Sequence, residues 1–340
     1  MPTRRSLLKT AALAPFLPVL PATSPTIKPP RLKSGDTVGL ICPAAPAYSR
    51  ETVQITIESL QALGLQTKLA PHVYDRYGYL AGRDADRAAD VNALFADPSV
   101  QMIMAVHGGW GCARILPLID YELIRRNPKI LIGYSDITAL LLAIHAKTGL
   151  TTMHGPVGAV TWNAFTVDWL RQVLMDGQAV TFQNPTKKDD NLTQTKDRIM
   201  TLRPGIARGQ LVGGNLTVLS HLVGSAYLPD WKGKILFVED THEDIYSVDR
   251  MLTHLKLAGI LNQIAGFIFG KCTACEPGSG GYGSLTFDDI LSDHIVPLNV
   301  PAFAGSMIGH ITDKFTVPLG VNAEIDASKG TIRLLERAVL

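Results

Sequence analysis

Three short segments put chemistry-bearing residues where a strand would end: His107-Gly108-Gly109-Trp110-Gly111, Gly133-Tyr134-Ser135-Asp136 and Glu239-Asp240, each after an apolar run. Ser135 stands between such a run and a helix-like segment. Its hydroxyl can therefore sit at a turn with the following N–H groups pointing outward, which is the logic of a nucleophile elbow. The same placement suits a helix N-cap, a role that serine fills well. The Gly-x-Ser-x-Gly pattern is also absent, because Ile137 occupies the second glycine position. Both readings stay open on this segment alone. Gly108-Gly109 serves equally as a tight turn or as a bare stretch of backbone whose N–H groups can approach an oxyanion. Glu239 is either a solvated strand-end carboxylate or the partner that orients a histidine for general-base work. Among nine histidines, His310 has the setting for that base, between Gly309 and Ile311-Thr312-Asp313. A hydrogen-bonded loop histidine without chemistry is the alternative.

Other chemistries lack their residues. Asp240, His242, Glu243 and Asp244 are close in sequence but form neither a His-Glu-x-x-His helix nor a calcium loop, so no metal is expected. No Gly-x-Gly-x-x-Gly turn or P-loop occurs, and no nucleotide cofactor is expected. The formal net charge of +2 is small and its cations are scattered, which argues against nucleic acid as a partner. Of the cysteines, only Cys272-Thr273-Ala274-Cys275 has a suggestive spacing. It lacks a second ligand pair and is followed by turn residues, so it reads as two loop cysteines without catalytic function, able to form a local disulfide if the chain is exported.

These residues need elements to position them. At 340 residues and 46% apolar content, the chain is long enough for two domains, each with its own core. Residues 36–41, 102–106 and 129–133 read as strands, and residues 84–95 and 137–147 as helices, the latter ending at Gly149. This alternation predicts an α/β fold with a mostly parallel sheet covered on both faces. The polar stretch 163–205 reads as a linker, and residues 206–340 as a second, more β-rich domain. Its helix over 245–257 has one apolar face of Ile245, Val248, Leu252 and Leu255.

The N-terminus carries Arg4-Arg5, an apolar run from residue 11 to 20, and Pro21-Ala22. That is the layout of a secretory signal over 1–22, and its paired arginines resemble a twin-arginine signal read by the twin-arginine translocase. The run is too short and too proline-broken to span a bilayer. A linker over 23–34 and an N-terminal domain over 35–162 follow, and the expected location is periplasmic.

Taken in order, the segments resemble the LD-carboxypeptidase family, which includes muramoyltetrapeptide carboxypeptidases and the microcin C self-immunity peptidase. The matching blocks are Gly35-Asp36-Thr37-Val38, Gly108-Gly109-Trp110-Gly111 with Asp120, and Asn127-Pro128-Lys129 leading to Gly133-Tyr134-Ser135-Asp136-Ile137-Thr138. His154-Gly155-Pro156, Gly213-Gly214-Asn215-Leu216, Glu239-Asp240 with Tyr246 and Asp249-Arg250, and Gly309-His310 with Pro318-Leu319-Gly320 complete them, from about residue 35 to 325. The resemblance implies Ser135 as nucleophile, His310 as base and Glu239 as its orienting carboxylate, with the N–H groups of Gly109 and Asp136 as oxyanion hole. It implies an N-terminal domain like class I glutamine amidotransferases, a C-terminal domain with a small β-barrel, no cofactor, and a homodimer. The implied substrate is a murein tetrapeptide, cleaved between the L-centre of a diamino acid and terminal D-alanine. Two features depart from the family: His107 stands where arginine is common, and the recycling enzymes lack a signal. Hydrolysis of another amide, or wall binding without catalysis, are the rival expectations.

Overall fold

The computed structural model describes residues 26–278 and 283–340. The expected signal segment over 1–22 lies outside the described residues. The first sheet contains β1 (Thr37–Ile41), β2 (Gln66–Leu69), β3 (Met102–Ala105), β4 (Ile130–Gly133) and β5 (Thr152–His154). These five are parallel to one another, in the order β5-β4-β3-β1-β2. β3 and β4 are apolar at nearly every position and buried at every one, as strands covered on both faces must be. The covering helices are α1 (Arg50–Ala62), α2 (Asp84–Ala96), the short α3 (Cys112–Ile115) and α4 (Tyr121–Arg126), and α5 (Thr138–Thr148).

Strand order reverses between β1 and β3. Loops leaving the carboxyl ends of those two strands diverge there and open a crevice, the place where ligands bind in such sheets.

The second sheet has eight strands: β6 (Thr181–Phe182), β7 (Met200–Arg203), β8 (Ile206–Asn215), β9 (Ile235–Thr241), β10 (Gly266–Thr273) and β11 (Ala302–Ala304), then, beyond β12 (Val317–Leu319), β13 (Asn322–Asp326) and β14 (Thr331–Leu334). Its order is β6-β14-β13-β8-β9-β10-β11-β7, with β8 to β11 parallel and the flanks antiparallel. It is a curled half-barrel with edges at β6 and β7, so the small barrel expected for this half is open. Helices α6 (Ala164–Leu170), α7 (Leu216–His221), α8 (Ile245–Leu257) and α9 (Phe287–His294) complete the fold. On α8 the predicted apolar face, Ile245, Val248, Leu252 and Leu255, is buried.

Three boundaries differ from those expected. The 163–205 stretch is not an irregular linker, because it supplies α6 and both edge strands of the second sheet. The 23–34 linker is docked from its first described residues: Ile27 N donates to Gly149 O at 2.8 Å, and Leu32 is buried. Nor does 206–340 form a self-contained unit. β12 crosses back and pairs antiparallel with β5 at the edge of the first sheet, where Pro318 costs no ladder bond.

α5 explains how the halves hold together. Its sequence, TALLLAIHAKT, is apolar on all sides and almost wholly buried, because it packs against β8 as well as β4 and β5. At its first residue, Thr138 Oγ1 accepts from the N–H of Asn215, the last residue of β8, at 3.0 Å. Asn215 is in register with Glu239 on β9. The turn carrying Ser135 is thus tied to the strand carrying Glu239.

Candidate active site

β4 delivers Tyr134 and Ser135 to the carboxyl edge of the first sheet. Ser135 has φ +63°, a left-handed conformation that costs a residue with a Cβ about 1–2 kcal/mol. It begins a 3-10 turn, Ser135–Ile137, and its side chain caps neither that turn nor α5. The cap alternative is therefore set aside: the hydroxyl is half-buried and free for other use.

The glycine loop closes over it. A Cβ on Gly108 would meet Ser135 Oγ at 3.1 Å, and one on Gly109, at φ +124°, would meet the Ala45 N at 3.0 Å. Only glycine allows this approach. Among the described residues, the N–H groups of Gly109 and Asp136 take no intramolecular hydrogen bond. The Asp136 side chain plays a different part from its backbone. Its buried carboxylate accepts from the Cys112 N–H at 2.8 Å and anchors the far end of the loop. Arg87 anchors it from the other side. Its fully buried guanidinium donates to Pro43 O after β1 and to Gly111 O after β3, and pairs with Asp84 at 2.6 Å.

The second sheet supplies the charge. Glu239 on β9 is fully buried, and its Oε2 lies 2.7 Å from His310 Nδ1. Burial pushes this carboxyl up, but the hydrogen bond and charge of His310 outweigh it and hold the group below the usual range. A Cβ on Gly309, at φ +127°, would meet Glu239 Oε2 at 2.7 Å, so glycine before the histidine is a condition of the pair. Asp240 faces elsewhere, accepting from Asn215 Nδ2 at 3.0 Å and from the Thr217 N–H and hydroxyl at 2.9 Å each. Burial, then the charge of Glu239, pushes it up to about 6.

Aromatic contacts position the histidine. The Tyr134 ring lies edge-on to His310 at 4.8 Å, and burial pushes its phenol up to about 12, so it stays neutral. Behind it, His154 is buried against Tyr134 and Phe237, with both ring nitrogens unpartnered among the described residues and its pKa held down to about 4 by burial.

Two cavities meet at Tyr134 and His310. One, of about 250 Å³, is lined by Tyr48, His107, Gly108, Gly109 and Ser135. The other, of about 540 Å³, is lined by Thr161, Thr273, Ile311, Thr312 and Lys314. Ser135, Glu239, His310, Gly109 and Asp136 are thereby brought to one place. His107 lines the smaller cavity, and burial lowers its pKa, so it enters as a neutral ring.

Arg87, Tyr134, His154 and Lys314 were not singled out as site residues from the sequence. Two of them carried a signal: Arg87 lies beside the apolar positions Ala88 and Val91 of α2, and Lys314 precedes the apolar run Phe315-Thr316-Val317. A long cation next to such a run is a mark of burial with a purpose.

A strained serine facing bare backbone N–H groups, beside a histidine held by a buried carboxylate, defines a serine hydrolase assembled between two α/β halves. The chain belongs to the LD-carboxypeptidase family: the family's N-terminal domain matches residues 38–155 and its C-terminal domain residues 208–325. It is 38% identical over 304 residues to the probable murein peptide carboxypeptidase of Bacillus subtilis, covering 89% of this chain and 93% of that protein. Among solved structures it is similar to the microcin C7 self-immunity protein MccF, with TM-score 0.83 and 27% identity over 92% of this chain and 100% of that one. The muramoyltetrapeptide carboxypeptidase of Oxalobacter formigenes gives TM-score 0.75 and 27% identity, over 88% and 97% of the two chains.

Proposed function

We propose that the chain releases terminal D-alanine from murein tetrapeptides by cutting its bond to the L-centre of the diamino acid. The observation that carries this is the 2.7 Å Glu239–His310 bond with Ser135 and His310 lining one cavity. Glu239 holds His310 through Nδ1, leaving Nε2 for the proton of Ser135. Ser135 Oγ attacks the scissile carbonyl carbon, and the N–H groups of Gly109 and Asp136 receive the oxyanion. The C–N bond breaks as His310 returns the proton to the leaving amine, and water then releases the acyl group by the same route.

D-alanine release from purified tetrapeptide is the test. Wild type is expected to turn over, and Ser135→Ala to lose about 10⁶-fold in kcat. An unchanged rate in the variant removes Ser135 from the mechanism.

A second reading is the same chemistry on a peptidyl-nucleotide amide. It is favoured by likeness to MccF, one structure of which is in complex with aspartyl sulfamoyl adenosine, and by His107 in the cavity wall. A competition panel of both amides separates the two.

We infer further that the protein is periplasmic, exported by the twin-arginine route, and dimeric. The signal layout and the Cys272–Cys275 disulfide support export, since such bonds persist in oxidising compartments. The β2-β1-β3-β4-β5 order supports a fold relation to class I glutamine amidotransferases.

A further inference from the structure

A carboxypeptidase must tell a chain end from an internal amide, and the only chemical difference within reach is the free carboxylate beyond the scissile bond. Recognising it inside a cavity takes a positive group that no protein anion already occupies. Because His310 must hand its proton to the leaving amine, the leaving residue belongs past His310 from Ser135, and the cavity that His310 lines without Ser135 is the larger one. We propose that Lys314 binds the terminal carboxylate there, making it the residue that restricts cleavage to the last residue of the peptide. This rests on the peptidase reading above.

Among the described residues, Lys314 is the one lysine or arginine that lines either cavity. It is 4% exposed. Its amine sits 4.7 Å from the centre of the Tyr134 ring and, among the described residues, takes no hydrogen bond or ion pair, so the ring is the group that faces it. Lys129 shows what a structural buried lysine does in this fold: at 7% exposure it donates to Leu94 O at 3.0 Å and to Asp97 O. Lys314 lacks such acceptors. Its amine is thus presented to the cavity rather than to a protein acceptor, and a bound carboxylate would supply the missing partner. The backbone on either side is fixed, because Thr166 Oγ1 donates to Thr312 O at 3.2 Å and accepts from the Lys314 N–H at 3.3 Å. Burial pushes the amine down to about 8, which leaves it charged at neutral pH, and Glu239 and Asp313 favour that charge.

The test compares a tetrapeptide with its C-terminal amide as substrates of wild type, Lys314→Met and Lys314→Arg. Wild type is expected to prefer the free acid by about 100-fold in kcat/KM, the range of a charge-assisted hydrogen bond. In Lys314→Met that ratio falls to near 1, mostly through KM on the acid, while Lys314→Arg recovers part of it. Equal losses on acid and amide would overturn the proposal in favour of a packing role for Tyr134 and His310, and so would an unchanged ratio. If tetrapeptide is not the substrate, labelling of Ser135 by a fluorophosphonate carries the test. D-alanine, and not D-alaninamide, should slow labelling of wild type and fail to slow labelling of Lys314→Met. D-alanine that protects neither protein, or both alike, overturns the proposal. Failure of the peptidase reading is seen separately, as no labelling of Ser135 in wild type.

Discussion

The two halves that meet at the cavity contribute different materials. The first sheet gives backbone: a left-handed Ser135 and two glycines whose missing side chains let the loop close over it. The second gives side chains: a fully buried Glu239 and a His310 whose proton the carboxylate fixes. On the first side, function is limited by volume and backbone angle. On the second, it is limited by where a proton sits. The two sets of residues should therefore fail in different ways.

Apart from loss of the nucleophile itself, the largest expected effect is on the proton side. Glu239→Gln keeps the shape but offers His310 Nδ1 a donor, which stabilises the wrong tautomer and should lower kcat about 10⁴-fold. Steady-state kinetics on tetrapeptide would show it, and a loss below tenfold would mean that Glu239 does not orient the base. On the backbone side, Gly109→Ala must push Ala45 away and strain a φ of +124°. A fall of roughly 10²–10³ in kcat is expected, as for the loss of one oxyanion donor, with KM little changed. A larger rise in KM than fall in kcat would instead make the loop a binding surface.

The seam between the halves gives a smaller, pH-dependent effect. His154 belongs to β5 but packs on Phe237 of β9, and its folded pKa of about 4 lies below its unfolded value. Between about 6.5 and 4 the unfolded chain binds a proton that the native state refuses, so stability falls as pH falls, by up to roughly 3 kcal/mol. Asp240, raised to about 6, acts in the opposite direction over the same window, so the observable is a difference between proteins. Denaturant melts of wild type and His154→Gln should diverge in slope from pH 6.5 down to 4. Parallel curves would show that His154 is protonated in the fold.

What the sequence made legible follows this division. The apolar runs of β3, β4 and β9 and the punctuation by Gly108-Gly109 and Gly309 are local signals, and they marked the segments of Ser135, Glu239 and His310 as candidates, while Arg87, Tyr134, His154 and Lys314 were not singled out. The Ser135 conformation was not legible, since the same residues serve a cap. Only the tertiary pull of Thr138 on Asn215 and the packing of Gly108 decide between the two. The return of β12 to the first sheet and the edge strands inside 163–205 were missed because a pairing partner more than a hundred residues away leaves no mark on local periodicity. Lys314 was passed over for a related reason: its meaning lies in an acceptor it lacks.

The central claim is that a nucleophile from one half is activated by a base from the other. Intact-mass and peptide-mapping measurement of fluorophosphonate labelling tests it directly, with wild type and His310→Ala side by side. A single adduct on Ser135 is expected, with its rate of formation reduced by several orders of magnitude in His310→Ala. An adduct elsewhere, or equal rates in the two proteins, would contradict it.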